Sequence, residues 1–518
     1  MKRRKKGNFR IYLMLGLGFL FAPGALTQAQ TTRLASFSIE SGKADYQYTP
    51  YTEAEIEEAL KRPLRLEDCI RIALRNNISL QIERGNLRMT EVDVAGSYGK
   101  FLPELSFGGS MQKAEENRPF NAQDPTDPTK LTFDKNALVA KIQQTFITGA
   151  TLTFSGDLKQ DVNSPDRFGA PPTRTQNKGF SIEITQPLLR DAWVTIAKSP
   201  ITLSKQAMQI QEKQFLDAKL QTIFEVKRAY YSVLLQKELI KVHESALARD
   251  STLIKLSESK LRANLATRRD VLSAEIRFAE DRAALIAAQT DYERALDKLK
   301  DVLGLPIEME IELEDVKLSY SPEPLDVEVL TRMALENNPL IDMLHISIEN
   351  YKLKHKIARN MLLPRVDLVM AYNGAFDIDR DQNKTVNSSD FRIALNFSYP
   401  FLDRASYAEA EKARIALQQE QIRLLDLQRQ LKLSVREVVR STYSSIEEIE
   451  ALKRSIEAAQ EKVEFATLMF NLGRASNLDV TDAQEALLKA QTQYVKKLID
   501  YHLQLALLET LIAQPIVY

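Results

Sequence analysis

Two long tracts of the sequence contain almost no residues that interrupt helices. Between Ile201 and Leu303 there is neither glycine nor proline, and between Phe401 and Ala513 the only glycine is Gly473, again without proline. These tracts predict helices of some sixty residues, which at ~1.5 Å per residue are roughly 90–100 Å long. Such lengths far exceed those of helices in globular domains. The chain therefore needs an architecture that supports a helix along its whole extent.

Apolar residues within both tracts recur at the spacing of a coiled-coil seam. One set repeats every seven residues, and another follows steps of four, three, seven and four. The first set is Ile449, Ile456, Val463 and Phe470, and the second is Leu216, Leu220, Ile223, Tyr230 and Leu234. These spacings predict long helices that pack side by side as coiled coils.

Each tract contains one point at which a helix can reverse its direction. Gly473 in the second tract aligns with Asn264 in the first when the Asp-Val pairs that follow them are superimposed. Glycine and asparagine enter left-handed backbone conformations most readily, so both positions predict a helix C-terminus. Thr267 and Ser476 then serve as N-caps of the returning helices. The predicted helical hairpins are 195–303, with its tip near 262–269, and 403–512, with its tip near 471–478.

An internal duplication organises the chain around these hairpins. The sequence Ala73-Leu74-Arg75-Asn76-Asn77 recurs as Ala334-Leu335-Glu336-Asn337-Asn338, and Pro103 recurs as Pro364 at the same offset. Each copy therefore has a first helix, a proline-marked break, a segment of strands and a long hairpin. The predicted first repeat is 66–303, with a helix at 66–98 and strands at 101–186. The second is 325–512, with a helix at 325–360 and strands at 364–399.

The strand segments alternate apolar and polar residues. In the second repeat, Phe391, Ile393, Leu395 and Phe397 alternate with Arg392, Ala394, Asn396 and Ser398. Such alternation over about ten residues, with polar loops between, is typical of a transmembrane β-barrel. A soluble antiparallel sheet with one solvated face produces the same pattern. Because open sheet edges are not tolerated in lipid and one copy has too few strands to close, a barrel requires several copies.

The N-terminus predicts export. Lys2 to Lys6 include five positive charges, Ile11 to Ala22 are apolar, and Thr27-Gln28-Ala29 provides a small residue for cleavage. This is the pattern of a signal peptide, which we place at residues 1–29. An N-terminal membrane anchor is the alternative.

Composition argues against several other functions. Lysine and arginine total 70, as do aspartate and glutamate, so the chain has no electrostatic signature of nucleic-acid binding. Cys69 is the only cysteine, and the four histidines are far apart in sequence. Neither a GxxxxGK[ST] loop nor a zinc-binding spacing is present. We therefore expect no enzymatic activity, no metal site and no cofactor.

The order and spacing of these features resemble the TolC family of outer-membrane efflux proteins. The similarity covers about Leu64 to Ala513 and is most specific at the hairpin tips, NLATRRDVLSAE and GRASNLDVTDAQE. It implies a mostly α-helical homotrimer, in which the periplasmic α-barrel joins a transmembrane β-barrel of the outer membrane that is closed only in the trimer. It also implies a passive channel for small molecules or proteins. The rival interpretation is a periplasmic coiled-coil scaffold without a pore.

The resemblance further implies partners for the chain. The partners are a periplasmic adaptor protein, an inner-membrane pump or ABC transporter, and lipid of the outer membrane. Residues 30–63 have no clear counterpart in the family, and we expect 30–65 to form an N-terminal segment that is equatorial or extended. We expect 304–324 to form an equatorial connector and 513–518 a C-terminal tail. A typical member has two strands per repeat. The additional candidate hairpin at 135–158 therefore either lengthens an external loop or adds strands to the wall.

The family motif also nominates residues for the periplasmic aperture and for contact with the adaptor. The aperture residues are Asp479, Asp482, Asp270, Phe470 and Arg474, and the adaptor-contact tips are Gly473 and Asn264. Phe470 lies where the family has a tyrosine and cannot form that hydroxyl bond, while the aperture arginine position holds Ala475.

Three copies would bring the aperture carboxylates together around one axis. Repulsion among them would raise their pKa values and concentrate cations at the opening. The alternative is that these aspartates are ordinary helix N-terminal residues, stabilised by the helix dipole.

Overall fold

The computed structural model describes residues 50–117, 130–165, 172–316, 318–320, 324–379 and 384–515. The predicted signal peptide at 1–29, residues 30–49 of the predicted N-terminal segment and residues 516–518 of the tail lie outside the described residues.

The described residues form ten α-helices and six strands. In chain order, the helices are α1 (Glu53–Ala59), α2 (Leu66–Asn76), α3 (Ile78–Ser97), α4 (Val194–Ala197), α5 (Ser199–Arg262), α6 (Arg268–Leu303), α7 (Val327–Asn337), α8 (Pro339–Asn360), α9 (Arg404–Asn471) and α10 (Asn477–Ile512). The strands are β1 (Glu104–Asn117), β2 (Lys130–Thr145), β3 (Thr151–Pro165), β4 (Thr173–Pro187), β5 (Arg365–Asp379) and β6 (Lys384–Ser398).

Helices α5 and α6 form one hairpin, and α9 and α10 form the other. The long arms contain 64 and 68 residues, and each short arm contains 36. Their buried positions are mainly small or branched apolar residues at helical spacing, such as Val226, Val233 and Ile449. Among the helices of the described ranges, none combines the length and apolarity needed to cross a bilayer.

The repeated Asn-Asn motif is the point at which one helix ends and the next begins. Asn77 has a ψ of 124° and its Oδ1 accepts a hydrogen bond from the Leu80 N–H at 3.0 Å. Asn338 has a ψ of 120° and accepts from the Leu340 N–H, also at 3.0 Å. The prediction of one unbroken helix at 66–98 and another at 325–360 was therefore wrong. Each range contains two helices, because the asparagine leaves the helical conformation and caps the following helix.

The same asparagines attach these helices to the hairpins. Asn77 Nδ2 donates to the carbonyl of Val302 at 2.8 Å, at the end of α6. Asn338 Nδ2 donates to the carbonyl of Leu511 at 3.4 Å, at the end of α10. The last carbonyls of a helix lack intrahelical partners, so an amide donor there satisfies an otherwise orphaned group. The duplicated motif thus forms the same contact twice.

The six strands form one antiparallel sheet in chain order, β1-β2-β3-β4-β5-β6. The additional hairpin at 135–158 consists of β2 and β3, whose bounds are wider than the predicted ones, and it lies between β1 and β4. It therefore adds two strands to the sheet.

The register of the sheet separates its two faces by polarity. One face carries an apolar band over roughly half the length of each strand, and directly paired residues share this band across all six strands. Beyond the band, the same face includes polar residues such as Lys113, Asp134, Gln160, Lys178 and Asn387. The members of the band include Leu105, Phe107, Leu138, Ile142, Phe154, Phe180, Ile182, Met370, Tyr372, Phe391, Ile393, Leu395 and Phe397. The other face is mostly polar, with Lys141, Ser155, Asp157, Ser181, Glu183, Asn373 and Arg392. The alternation predicted from sequence is thus present in all six strands, within this apolar band.

The residues before the first repeat pair with the connector between repeats. The Leu64 N–H donates to the Glu312 carbonyl at 2.8 Å, and the Leu64 carbonyl accepts from the Glu314 N–H at 3.1 Å. Arg65 Nε lies 2.7 Å from Glu314 Oε2 beside this pair. The described part of the N-terminal segment therefore packs against the segment at 304–324.

Candidate functional site: the two hairpin tips

Both hairpin tips reverse the chain through a residue in the left-handed conformation. Asn264 has φ of 55° and Gly473 has φ of 72°. The next N–H group then returns to the preceding helix: Leu265 donates to the Lys260 carbonyl at 2.8 Å, and Arg474 donates to the Met469 carbonyl at 2.9 Å. This is the hydrogen bond of a Schellman C-cap, which glycine and asparagine favour. The predicted left-handed positions are confirmed.

The predicted aperture residues Asp270 and Asp479 take part in equivalent capping boxes. The Asp270 carboxylate accepts from Thr267 N at 2.8 Å and Thr267 Oγ1 at 2.7 Å, while Asp479 accepts from Ser476 N at 2.7 Å and Ser476 Oγ at 2.8 Å. Each aspartate N–H returns a bond to its cap oxygen. Within one chain, Asp270 and Asp479 therefore stabilise the starts of α6 and α10.

These hydrogen bonds also affect ionisation. The bonds from the Thr267 side chain and backbone lower the pKa of Asp270, and those from the Ser476 backbone and side chain lower the pKa of Asp479. Hydrogen bonds to the charged form favour it, so both carboxylates are ionised at neutral pH. Repulsion among the aperture carboxylates of three copies is expected to raise their pKa values. That effect would arise only between copies of the chain, so it stays a prediction.

Two contacts join the tips to each other. Asn477 Nδ2, at the start of α10, donates to the Asp270 carbonyl in α6 at 2.6 Å. Lys260, near the end of α5, donates through Nζ to the Phe470 carbonyl and lies 4.2 Å from the centre of the Phe470 ring. Both Lys260 and Asn477 are buried. The starts of α6 and α10, and the ends of α5 and α9, are therefore held together.

An apolar cluster lies directly behind these contacts. It contains residues of all four hairpin helices: Leu253, Ala274, Ala466, Phe470, Val480 and Ala483. Its members are mostly small, so the helices approach closely, and Phe470 fills the space between them. Phe470 thus has a packing role in this cluster.

The remaining predicted site residues lie on the outside of the tips. Asp482 and Arg474 are exposed, as are Asn264 and Gly473. A Cβ atom added to Gly473 would meet no atom within 4 Å, so its requirement for glycine comes from the backbone conformation alone. The structure therefore brings Asp270 and Asp479 to neighbouring helix starts and leaves the other polar residues on the surface.

Sequence reasoning did not identify Lys260 and Asn477. The signal available was indirect: Phe470 lies in the last turn of a helix, where main-chain carbonyls lack intrahelical partners. Lysine near a helix C-terminus is favourable for its dipole, but nothing in sequence connects Lys260 to a carbonyl 210 positions away.

A buried carboxyl pair lies farther along the first hairpin. Asp250 of α5 and Asp281 of α6 are buried, 2% and 5% exposed, and close enough for each carboxyl to affect the other's ionisation. Arg277 Nε lies 3.4 Å from Asp281 Oδ2. Burial, then the hydrogen bond with Asp281 and its charge, raise the pKa of Asp250 to about 7, against opposing effects of Arg277 and Arg249. Within the described ranges, no group of three or more histidine, cysteine, aspartate or glutamate residues is placed to hold a metal ion.

The sequence matches the profile of a protein family described as Outer membrane efflux protein, over residues 151–305 and 330–514. Together these ranges include more than half of the chain. The chain belongs to this family. It is accordingly an outer-membrane protein, and family members extend into the periplasm.

Individual relatives of the efflux family agree with this assignment. Alkaline protease secretion protein AprF of Pseudomonas aeruginosa is 22% identical over 296 residues, which span 56% of this chain and 61% of AprF. Outer membrane protein TolC of Vibrio cholerae is 23% identical over 331 residues, 62% of this chain and 72% of that protein.

Solved structures of outer-membrane proteins share the fold. VceC of Vibrio cholerae superimposes with a TM-score of 0.66 at 15% identity, covering 87% of this chain and 96% of VceC. The open state of MtrE of Neisseria gonorrhoeae superimposes with a TM-score of 0.62 at 15% identity, covering 87% and 89%. At these identities the likeness concerns the fold of this efflux-family chain.

Proposed function

We propose that three copies of this chain form a passive channel through the outer membrane and periplasm. The observation that carries the proposal is the combination, in one chain, of two long hairpins joined at their tips and a sheet with one apolar and one polar face. The apolar face suits lipid, and the polar face suits a water-filled passage. A coiled-coil scaffold without a pore would need no such sheet.

The channel would carry cargo that other proteins deliver. A periplasmic adaptor and an inner-membrane pump or ABC transporter would supply substrate and energy. The exposed turns at Asn264 and Gly473 would contact the adaptor, because they project beyond the helix ends and lack bulky side chains. The name of AprF refers to secretion of a protease, which supports including proteins as well as small molecules among the cargoes.

The two tips would form the aperture of the channel. Asp479 and Asp482 are exposed on the first turn and a half of α10, so three copies would place six carboxylates around the axis. Such a ring attracts cations and binds multivalent cations most strongly. Asp270, which begins the neighbouring helix, would contribute three more.

The contacts between the tips would hold the aperture closed. Lys260 and Asn477 join the first hairpin to the second through main-chain carbonyls, so opening requires these bonds to separate. An adaptor that binds the tips better in the separated arrangement would shift the equilibrium toward the open channel. The Lys260–Phe470 contact would thus link the two hairpins at a position where the phenylalanine side chain has no hydroxyl group to form a hydrogen bond.

The test is reconstitution of the purified mature chain. We expect chemical cross-linking to give a trimer and planar bilayers to show discrete conductance steps. A trimer without conductance would favour the scaffold, and a soluble monomer without conductance would contradict both the trimer and the channel.

A further inference from the structure

The sheet has two open edges. Strand β1 is paired only with β2, and β6 only with β5, within the described residues. Side chains on the apolar face next to both edges are largely exposed, with Phe107 77% exposed on β1 and Phe397 70% exposed on β6. An edge of unpaired N–H and C=O groups beside an apolar surface cannot be placed in hydrocarbon, where these groups find no partner.

The two edges are suited to each other. Strands β1 and β6 contain 14 and 15 residues. Because the sheet has an even number of antiparallel strands, β6 runs opposite to β1, so a second copy placed alongside continues the antiparallel order. The apolar face also continues across such a junction, from Phe391 and Phe397 to Leu105 and Phe107. A head-to-tail contact of this kind closes into a ring when the rotation from one copy to the next completes a full turn.

We infer that β1 of one copy pairs with β6 of the next, so that three copies close a single wall of eighteen strands. This inference rests on the proposed trimeric channel and adds the composition of its wall. The second repeat contributes two strands, β5 and β6, and the first contributes four. Had the first repeat also contributed two strands, the wall would contain twelve.

The inserted hairpin, β2 and β3, is part of the wall because each of its strands is hydrogen-bonded to a neighbouring wall strand. β2 pairs with β1 from Asn117–Lys130 to Glu104–Gln143, and β3 pairs with β4 from Asn163–Thr173 to Thr151–Thr185. A hairpin folded back as an external loop would lose both ladders and require β1 to move next to β4. Ser155 Oγ and Ser181 Oγ are also hydrogen-bonded at 2.7 Å on the polar face, joining the insertion to β4 there.

The wall would be wider than one made from two strands per repeat. Barrel diameter grows roughly in proportion to strand number, so eighteen strands give a diameter about 1.5 times that of twelve. Barrels of 16–18 strands are wide enough to leave an aqueous channel. The inserted strands contribute Lys141, Asp157 and Lys159 to the polar face, so the added width would be lined by charge.

Cysteine cross-linking tests this arrangement in the full chain. Cys69 is buried and burial raises the pKa of its thiol to about 12, so introduced cysteines are the reactive ones. Ser106→Cys on β1 is combined in turn with single cysteines on the polar face of β6, at 388, 390, 392, 394, 396 and 398. We expect at least one combination to give disulfide-linked dimers and trimers on a non-reducing gel.

The matched control combines Ser106→Cys with Ser181→Cys on β4. These residues lie three strand spacings apart, or roughly 14 Å, because Lys141 and Ser155 lie between them in the ladder. No cross-link is expected, since a disulfide needs Cα atoms within about 7 Å. An intrachain link between β1 and β4, with no link between β1 and β6, would overturn the eighteen-stranded wall.

A labelling experiment provides a second readout. Ser155→Cys and Phe154→Cys are adjacent on β3 and face opposite sides of the sheet. In a reconstituted membrane, a polar maleimide should modify Ser155→Cys and leave Phe154→Cys unmodified. Equal labelling of both would overturn the inference. Conductance and trimer formation are measured on the same preparations, so a conducting trimer that fails these tests contradicts the wall and leaves the channel function intact.

Discussion

Asp250 and Asp281 are buried together across the seam of the first hairpin, where the equivalent residues of the second hairpin are Ala459 and Ala490. All four side chains are buried at corresponding turns of the duplicated structure. Carboxyl groups at these positions need a proton to coexist, whereas alanine methyl groups need none. The two hairpins, although duplicates in architecture, therefore differ in how their stability responds to pH.

Replacing Asp250 with asparagine should remove this pH dependence. The pKa of Asp250 is about 7 in the folded chain, well above that of an unfolded aspartate, so the folded state keeps a proton that the unfolded state releases. The stabilisation is present at about pH 4 and is lost as pH rises to about 7. We expect the Asp250→Asn hairpin to be more stable than the parent at pH 8, by on the order of 1–3 kcal/mol, with a smaller difference at pH 5.

Amide hydrogen exchange along α5 and α6 measures this difference locally. Glu258→Gln is the matched control, because Glu258 is exposed on the same helix and loses one negative charge in the same way. A parent hairpin whose exchange protection rises from pH 5 to pH 8, after correction for intrinsic rates, would contradict the prediction.

Replacing Lys260 with methionine should favour the open aperture. Methionine keeps the length and packing of the side chain but cannot donate to the Phe470 carbonyl or place a charge over its ring. We expect conductance in planar bilayers to rise several-fold, because the closed arrangement loses the contact between Lys260 and the Phe470 carbonyl at the tips. Lys255→Met, at an exposed position one turn and a half earlier, should leave conductance unchanged. Equal conductance of Lys260→Met and the parent would exclude a latch at this contact.

Replacing Asp482 with asparagine should weaken block by multivalent cations. Asp482 is exposed and lies outside the capping box, so the substitution removes three charges from a trimer without disturbing the helix start. Asp479→Asn combined with Asp482→Asn should weaken the block further, by at least tenfold in the blocking concentration. Asp426→Asn on α9 controls for the loss of charge elsewhere. Unchanged sensitivity to a trivalent cation in the double variant would rule out these carboxylates as the aperture ring.

Replacing the two capping asparagines should destabilise the fold unequally. Each asparagine caps a helix, and loss of a cap costs about 0.5–2 kcal/mol. Asn77 also forms the shorter bond to a hairpin carbonyl, 2.8 Å against 3.4 Å for Asn338. Asn77→Ala should therefore lower the thermal midpoint, followed by circular dichroism in detergent, more than Asn338→Ala. A larger effect of Asn338→Ala would mean that the shorter bond of Asn77 to its hairpin carbonyl does not add to the stability of the fold.

Several features could be predicted from sequence because they depend on local chemistry. The positive φ at Asn264 and Gly473 follows from the residue types, and the hairpin caps follow from Thr267 and Ser476. The end of helix α2 at Asn77 does not follow from local residue types in the same way. The residues on both sides of Asn77 favour helix. The helix ends there because the Asn77 side-chain amide bonds to both the Leu80 N–H and the Val302 carbonyl.

The position of the inserted hairpin was left open by sequence for a different reason. Residues 135–158 alternate like a strand pair, and that pattern is the same for an external hairpin and for part of the wall. The choice depends on which strands lie on either side. Pairing of β2 with β1 and of β3 with β4 determines it.

The sequence by itself determined the long helices, their reversals and the two-faced strands, because helix breakers, left-handed residues and hydrophobic period act over a few neighbouring positions. Only the tertiary structure decided that Lys260 meets the Phe470 carbonyl, that Asn477 meets Asp270, and that Asp250 meets Asp281. These partners are far apart along the chain, and packing of the helices against one another brings them within bonding distance.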